Sequence, residues 1–481
     1  MIHIFDKRRC PIHGAEQGQP AETSPVARHP VFLGKQSSQL LQWSFGMFLT
    51  YYYCSQDNPD YPPLLKISIV STALFIGRFV DGFLEPFVGY FSDRTRTRWG
   101  RRMPFIMFGG LPMCAFFLLM WFPPFPPNTL GTALWLIVIQ TFFWLCITLV
   151  FCPYLALLGE VVRTSEERIL LSQLMQIFLL VGTGVVMALP AFFEPIRAHP
   201  QMFIIIAAMG FVSIYAVVLG VPETKYCGEH EADHYSIVDA LKWTFTNKAF
   251  LIYVISSLFM LLGFQTLMNG LMFVITVLLR LPESYLPLLF GIIVISIVIS
   301  FVIIFKLAEK YSKKFVYSLG NGMMALILPF MFILDRIPIH WATLELAGLS
   351  LKLPLTWGYA VFFLTGFPVA VIMCMGLPII ADIADYDEKL YGKRREAIFF
   401  GAQGFLQKYA IAFTFLIQGF LFERYGYSME DNMGVKLLGP VTGAFVLIGF
   451  FIFLFYPLNE RTLQLDDTPA ARLLRRLTGK K

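Results

Sequence analysis

The sequence predicts an all-α polytopic membrane protein: twelve transmembrane helices in two six-helix halves, with both termini cytoplasmic. Three observations predict it. Hydrophobic residues make up 57% of the 481 and charged residues only 15%, against roughly 25% charged in soluble domains. Apolar runs of about 20 residues, the length that a ~30 Å hydrocarbon core demands, recur along nearly the whole chain. Basic residues crowd alternate loops, as expected of those on the cytoplasmic side. The net charge of +6 therefore reads as topology and not as nucleic-acid binding.

Residues 1–36 are polar, carry Pro11, Pro20, Pro25 and Pro30, and lack the apolar core of a signal peptide. They read as a cytoplasmic tail. The first bundle, 37–221, holds spans at 37–56, 66–91, 104–123, 130–158, 169–193 and 201–221. A polar central loop, 222–248, follows, and its "SIVDALKWTF" suits a short amphipathic helix on the membrane surface. The second bundle, 249–458, holds spans at 249–279, 284–307, 314–334, 357–382, 397–423 and 435–458, before a tail at 459–481.

The basic loops fix the orientation. Arg94, Arg96, Arg98, Arg101 and Arg102 follow the second span, Arg163 and Arg168 the fourth, Lys306 to Lys314 the eighth, and Lys389 to Arg395 the tenth. Opposite loops hold few: Arg197, Arg280, Arg336, Lys352, Arg424 and Lys436. Seven scattered cysteines show no CxxC or Cys/His spacing and read as small apolar fillers. A weak internal repeat relates the halves: Pro153, Ala156 and Glu160 near the end of the fourth span match Pro378, Ala381 and Asp385 of the tenth. Parallel repeats of this kind are a transporter feature.

The second span carries the anomaly. Arg78, Asp81 and Glu85 are three and four residues apart, hence on one helix face. Asp81 lies about ten residues from the span's end, ~15 Å deep at 1.5 Å per residue. An intramembrane charge costs at least ~2.5–3.5 kcal/mol, so this face must meet other helices or a water-filled cavity. One reading is an ion-pair network in which Arg78, or Lys408 of the eleventh span, neutralises the acids. The other is a coupling site whose carboxylates bind and release a proton or a hard cation. The two overlap, because a carboxylate can exchange a basic side chain for a cation.

The block "RFVDGFLEPFVGYFSDRTRTRWGRRMPFIM" resembles the second span and following loop of the glycoside–pentoside–hexuronide:cation symporters, within the major facilitator superfamily. "PYLALLGEVVRTSEER" and "IADIADYDEKLYGKRREAIFFGAQGFLQK" agree with the same family in span order. The resemblance implies that Asp81 and Glu85 are cation-site acids, that Thr148 is a further oxygen ligand, and that Lys408 lies near cargo and cation. Two departures matter. Leu84 stands where the family's galactoside carriers place an asparagine, which favours a proton over sodium as coupling ion. Where those carriers grip sugar with acids, a tryptophan and an arginine, this chain offers Gln39, Phe151, Leu155 and Gln176. Lysophospholipid carriers of animals resemble the family too, so an amphipathic lipid is the alternative cargo to a sugar or glycoside.

Gln176 and Gln403 flank the expected central cavity and join the substrate-binding candidates, whereas Gln42, Gln140, Gln173, Gln265, Asn269 and Gln418 either line the pathway or, the more ordinary reading, bridge helices. Asp93, Arg94, Arg101, Arg102, Glu160, Arg168 and Asp385 are expected to pair charges at the cytoplasmic face, with Arg78 part of the buried network. The resulting expectation is cation-coupled symport by alternating access, in which a neutralised, loaded carrier rocks between its two halves. No HExxH, GxSxG or Walker loop is present, so an enzyme is not expected. Neither is a cofactor beyond the coupling H⁺ or Na⁺, nor an obligatory protein partner. A non-transporting sensor on this scaffold is the remaining alternative. A multi-pass protein of the plasma (inner) membrane is expected.

Overall fold

A computed structural model describes residues 30–56, 60–161, 165–221, 223, 246–336, 340–346, 349–355, 358–391 and 396–458. Residues 1–29, the C-terminal tail and nearly all of the central loop, including "SIVDALKWTF", lie outside the described residues, and Leu33 to Gln36 of the expected N-terminal tail are helical. The chain divides into two compact units, Met1–Ala232 and Asp233–Lys481. The first contains α1 (Leu33–Cys54), α2 (Ile67–Arg94), α3 (Met103–Trp121), α4 (Leu130–Val161), α5 (Ser165–Ala188) and α6 (Gln201–Gly220). The second contains α7 (Lys248–Phe273), α8 (Leu286–Lys310), α9 (Lys313–Ile327), α10 (Gly358–Tyr391), α11 (Glu396–Tyr425) and α12 (Met433–Leu454). A π-helical turn, Val274–Leu278, extends α7, and a 3₁₀ stretch, Leu328–Arg336, extends α9.

Among the described residues, eleven of these twelve helices are long and apolar enough to cross a membrane. The exception is α1, which carries Lys35, Gln36, Gln39, Gln42 and three serines. Packing explains why it can afford them. It lies against α5 and α6, and most of its side chains are buried in protein rather than facing lipid. Ser37 donates to the Gly210 carbonyl of α6 at 2.9 Å, and Tyr53 to the Met120 carbonyl of α3 at 2.6 Å. Near this end Trp121 stacks on Phe203 with ring centroids 3.4 Å apart.

Each unit follows one packing plan. In the first, α1 packs on α5 and α6, α3 on α4 and α6, and α2 on α4. In the second, α7 packs on α11 and α12, α9 on α10 and α12, and α8 on α10. A shift of six helices turns one set into the other, which is the arrangement a parallel repeat produces. Pro153 and Pro378, the repeat's anchor residues, lie inside α4 and α10, two helices related by that shift.

Two features depart from the sequence expectation. The tenth helix runs to Tyr391 and not to 382, so Asp385 lies within it and not at its end. Between α9 and α10 a hairpin of β1 (His340–Leu346) and β2 (Leu349–Leu355) pairs antiparallel, His340 opposite Leu355 and Leu346 opposite Leu349. "LSLKLPL" does alternate apolar residues with Ser350, Lys352 and Pro354, a period-two signal overshadowed by the neighbouring spans.

The loops opposite the arginine run hold few cations, and two of these have local partners. Arg197 donates to the Tyr52 carbonyl and, at 3.1 Å, to that of Pro62, closing the α5–α6 connection onto the end of α1. Lys436 at the start of α12 pairs with Asp335 at 2.7 Å.

Candidate coupling site

The anomaly of the second span resolves into a buried polar ladder between α2 and α4. Gln140, Trp144 and Thr148 recur every four residues along α4 and so form one stripe; Ala73, Gly77, Arg78 and Asp81 lie along α2. Thr148 Oγ1 donates to Asp81 Oδ1. Arg78 Nη1 donates to Asp81 Oδ2 at 3.1 Å. The Arg78 guanidinium lies over the Trp144 ring, 3.8 Å from its centroid. One turn further on, Gln140 donates to the Ala73 carbonyl.

Burial gives these contacts their weight. Asp81 is fully buried, Thr148 and Trp144 are each 2% exposed, and Arg78 8%. Glu85, a turn beyond Asp81, is half-buried and also acts electrostatically on Arg78. Asp81 thus has one oxygen on a hydroxyl and the other on a guanidinium. A low local dielectric strengthens both contacts. Pro86 follows Glu85 within α2, and having no N–H it cannot donate to the Gly82 carbonyl.

Gly77 leaves room for the Gln140 carboxamide between α2 and α4. A Cβ there would collide with the Gln140 side chain. Gly77→Ala should therefore push Gln140 off the Ala73 carbonyl and cost about 1–3 kcal/mol, the usual penalty of overpacking. A melting curve of the purified variant checks this, and an unchanged midpoint would contradict the tight fit.

The other predicted site residues fall as follows. On α1, Gln39 is half-buried and accepts from Trp43 Nε1. On α4, Phe151 is buried edge-to-face on Tyr154, ring centroids 6.0 Å apart, while Leu155 is 53% exposed. Gln176 of α5 is exposed. In the second unit Lys408 is half-buried, and Gln403 of α11 donates to the Tyr253 hydroxyl of α7 at 3.3 Å. Asn269 of α7 donates to Thr414 of α11 at 3.0 Å and accepts from Gln265 on its own helix at 3.0 Å. Gln418 reaches the Asn269 carbonyl at 3.3 Å. These amides tie α7 to α11.

The arginine loop is organised by a residue that sequence reasoning missed. Glu223, 1% exposed, lies just past α6 at the start of the central loop. Its carboxylate accepts from the backbone N–H groups of Arg101 at 2.9 Å, Arg102 at 3.0 Å and Met103 at 2.7 Å. Those of Arg102, the N-cap, and Met103 are donors that the start of α3 leaves unsatisfied, and an anion there also suits the helix dipole. Gly100 makes room with a left-handed φ of +114°, because a Cβ would collide with Glu223. Arg101 and Arg102 are half-buried, and Arg94 covers the Tyr90 ring at 3.9 Å. The side chains of Asp93, Glu160 and Arg168 lie outside the described residues. Asp385 is exposed, and the neighbouring Asp382 holds Lys313 of α9 at 2.7 Å. The signal for Glu223 was its place in "VPETK", two residues beyond an apolar span, where an acid can reach a neighbouring helix start.

Among the described residues, no group of three or more His, Cys, Asp or Glu is placed to hold a metal ion. A family model described as MFS/sugar transport protein matches residues 33–460. An uncharacterized symporter of Synechocystis sp. is 23% identical over 500 residues, covering 82% of this chain and 88% of that one. Sodium-dependent lysophosphatidylcholine symporter 1 of Gallus gallus is 24% identical over 469 residues, covering 87% and 83%. The isoprimeverose transporter of Lactiplantibacillus pentosus is 23% identical over 413 residues, covering 82% of each chain. Among solved structures, the nucleoside transporter NupG superposes with a TM-score of 0.61 at 12% identity, over 89% of this chain and 98% of that one. At that identity the likeness concerns the fold alone.

Proposed function

The chain belongs to the MFS/sugar transport protein family, whose glycoside–pentoside–hexuronide:cation symporters its second-span block resembles; from that premise we propose the ion, the cargo and the residues that serve them. It is a multi-pass integral membrane protein and a cation symporter of the major facilitator type. The proposed activity is proton-coupled symport of a sugar or glycoside by alternating access across the plasma (inner) membrane. The observation that carries it is the buried constellation of Arg78, Asp81 and Thr148, with Glu85 alongside.

The charge count of the α2 stripe supports the coupling role. Two carboxylates share one guanidinium along it, and a monovalent cation can take the place of a basic partner at either of them. A charge in the low-dielectric interior is costly, so a site whose carboxylate has taken up a cation accepts occlusion more readily. Leu84 offers no oxygen, and Arg78 already occupies one face of Asp81. A proton needs only a carboxylate, whereas sodium needs several oxygens. Sodium is the second reading. It is favoured by the likeness to the sodium-dependent lysophosphatidylcholine symporter and by the Gly82 carbonyl that Pro86 leaves without a helical donor.

Asp81, Glu85 and Thr148 are the proposed ion ligands, and Lys408, Gln176, Gln39, Phe151 and Gln403 the proposed cargo contacts. Arg94, Arg101, Arg102 and Asp385, with Asp93, Glu160 and Arg168, are the proposed charge network of the cytoplasmic face. Reconstituted protein should accumulate a glycoside or pentoside under an inward proton gradient without sodium. Sodium-stimulated uptake at constant proton gradient would overturn the choice of ion. Uptake of lysophosphatidylcholine with no glycoside uptake would overturn the choice of cargo.

A further inference from the structure

Trp144 is not among the residues that the sequence placed in the site, yet it is the largest side chain touching it. Its ring face meets Arg78 at 3.8 Å. Phe45 of α1 packs against it T-shaped with centroids 4.9 Å apart, and Phe143 at 5.3 Å. The ring is therefore clamped by packing, with one face committed to the guanidinium. Arg78 needs that face: its Nε is buried without a hydrogen-bond partner, and its Nη1 leans on Asp81. A plain core tryptophan would pack against aliphatic or aromatic neighbours on both faces, and this one does not.

We propose that Trp144 is a positioning residue for coupling, a platform that keeps the Arg78 guanidinium in the membrane interior when the coupling cation neutralises Asp81. The proposal rests on the reading of Asp81 as a coupling carboxylate. In the empty site Arg78 has three supports, the Asp81 carboxylate, the field of Glu85 and the Trp144 face. When a proton or sodium ion takes the negative charge of Asp81, the first support weakens. The indole quadrupole, whose attraction for a cation grows as water is excluded, then carries the guanidinium alongside Glu85. Trp144 thus stabilises the loaded state relative to a site without the ring, and so raises affinity for the ion without touching it. Charged groups facing this region are few. Arg78, Asp81 and Glu85 come from α2, while α4 has its charge at Glu160 in its last turn and α1 at Lys35 in its first.

The experiment titrates the full-length purified protein with the ion alone, so no cargo is needed. Melting temperature is followed against NaCl, with choline chloride as control, and against pH without sodium. For the stabilising ion, Trp144→Leu should weaken apparent affinity about tenfold, roughly one pH unit if the ion is the proton. Trp144→Phe, which keeps a weaker ring face, should fall between the two. Singly and multiply fluorinated tryptophan placed at 144 alone weakens the quadrupole at nearly constant shape, so misfolding is not an issue. Affinity should fall step by step with fluorine number. Asp81→Asn serves as the control that separates the two claims. If it abolishes the ion response while affinity is flat across the fluorinated series, the platform is wrong and the coupling site stands. A wild-type ion response in Asp81→Asn overturns the coupling reading itself.

Discussion

Asp81→Asn is expected to reduce gradient-driven accumulation to the level of empty liposomes while leaving the protein folded and inserted. An amide cannot take up a proton at this position and offers sodium no charge. Without that exchange the carrier has no means of tying cargo movement to the gradient. The fold should survive because the amide oxygen can still accept from Arg78 while its NH2 donates to the Thr148 hydroxyl, which can turn from donor to acceptor. Breaking a buried ion pair outright costs about 3–5 kcal/mol. Here the Trp144 face and Glu85 still attend Arg78, so a loss of about 1–3 kcal/mol is expected. Adding Arg78→Gln to this variant should recover most of the lost melting temperature and none of the transport. Accumulation by either variant would remove Asp81 from the coupling site.

Glu223→Ala should be among the most destabilising single changes in the first unit. The carboxylate satisfies the N–H groups of three successive residues at the start of α3, and hydrogen bonds to a charged group contribute about 1.5–3 kcal/mol each. Such neighbouring bonds are not additive, which puts the expected loss at about 3–5 kcal/mol. Glu223→Gln retains one accepting oxygen and should lose about half as much. Gly100→Ala should reproduce the alanine phenotype from the other side, because its Cβ displaces the carboxylate and its φ of +114° disfavours any side chain. The readouts are the melting temperature and the rate of trypsin cleavage between Arg94 and Arg102. A Glu223→Ala protein that melts with the wild type and resists trypsin equally would contradict the cap.

The parts legible in the sequence were those governed by the solvent. Span positions and the alternation of basic loops follow from what lipid and the cytoplasm tolerate, and most span ends agree to within about four residues. The exception is α10, where an amphipathic, acid-rich extension carries the helix to Tyr391. Arg78, Asp81 and Glu85 stood out because charge is rare in such a run. Thr148 required the family resemblance, since a threonine in a helix is unremarkable until an acid faces it. Trp144 was not picked out: eight tryptophans in a chain with 49 phenylalanines give no hint which one lies beneath a guanidinium. Glu223 was missed because its partners are backbone N–H groups 120 to 122 residues away, and backbone leaves no sequence signature.

The polarity of α1 has a consequence for how the protein is made. A first helix apolar enough to leave the translocon alone can set the orientation of everything after it. This one is not, and the groups that excuse its serines and glutamines, such as the Gly210 carbonyl that accepts from Ser37, belong to helices synthesised more than a hundred residues later. Its settled place in the bilayer must therefore await α5 and α6. The decision about which way the chain faces falls instead to the arginines behind α2, so biogenesis should be more sensitive to neutralising them than to any change in the first helix.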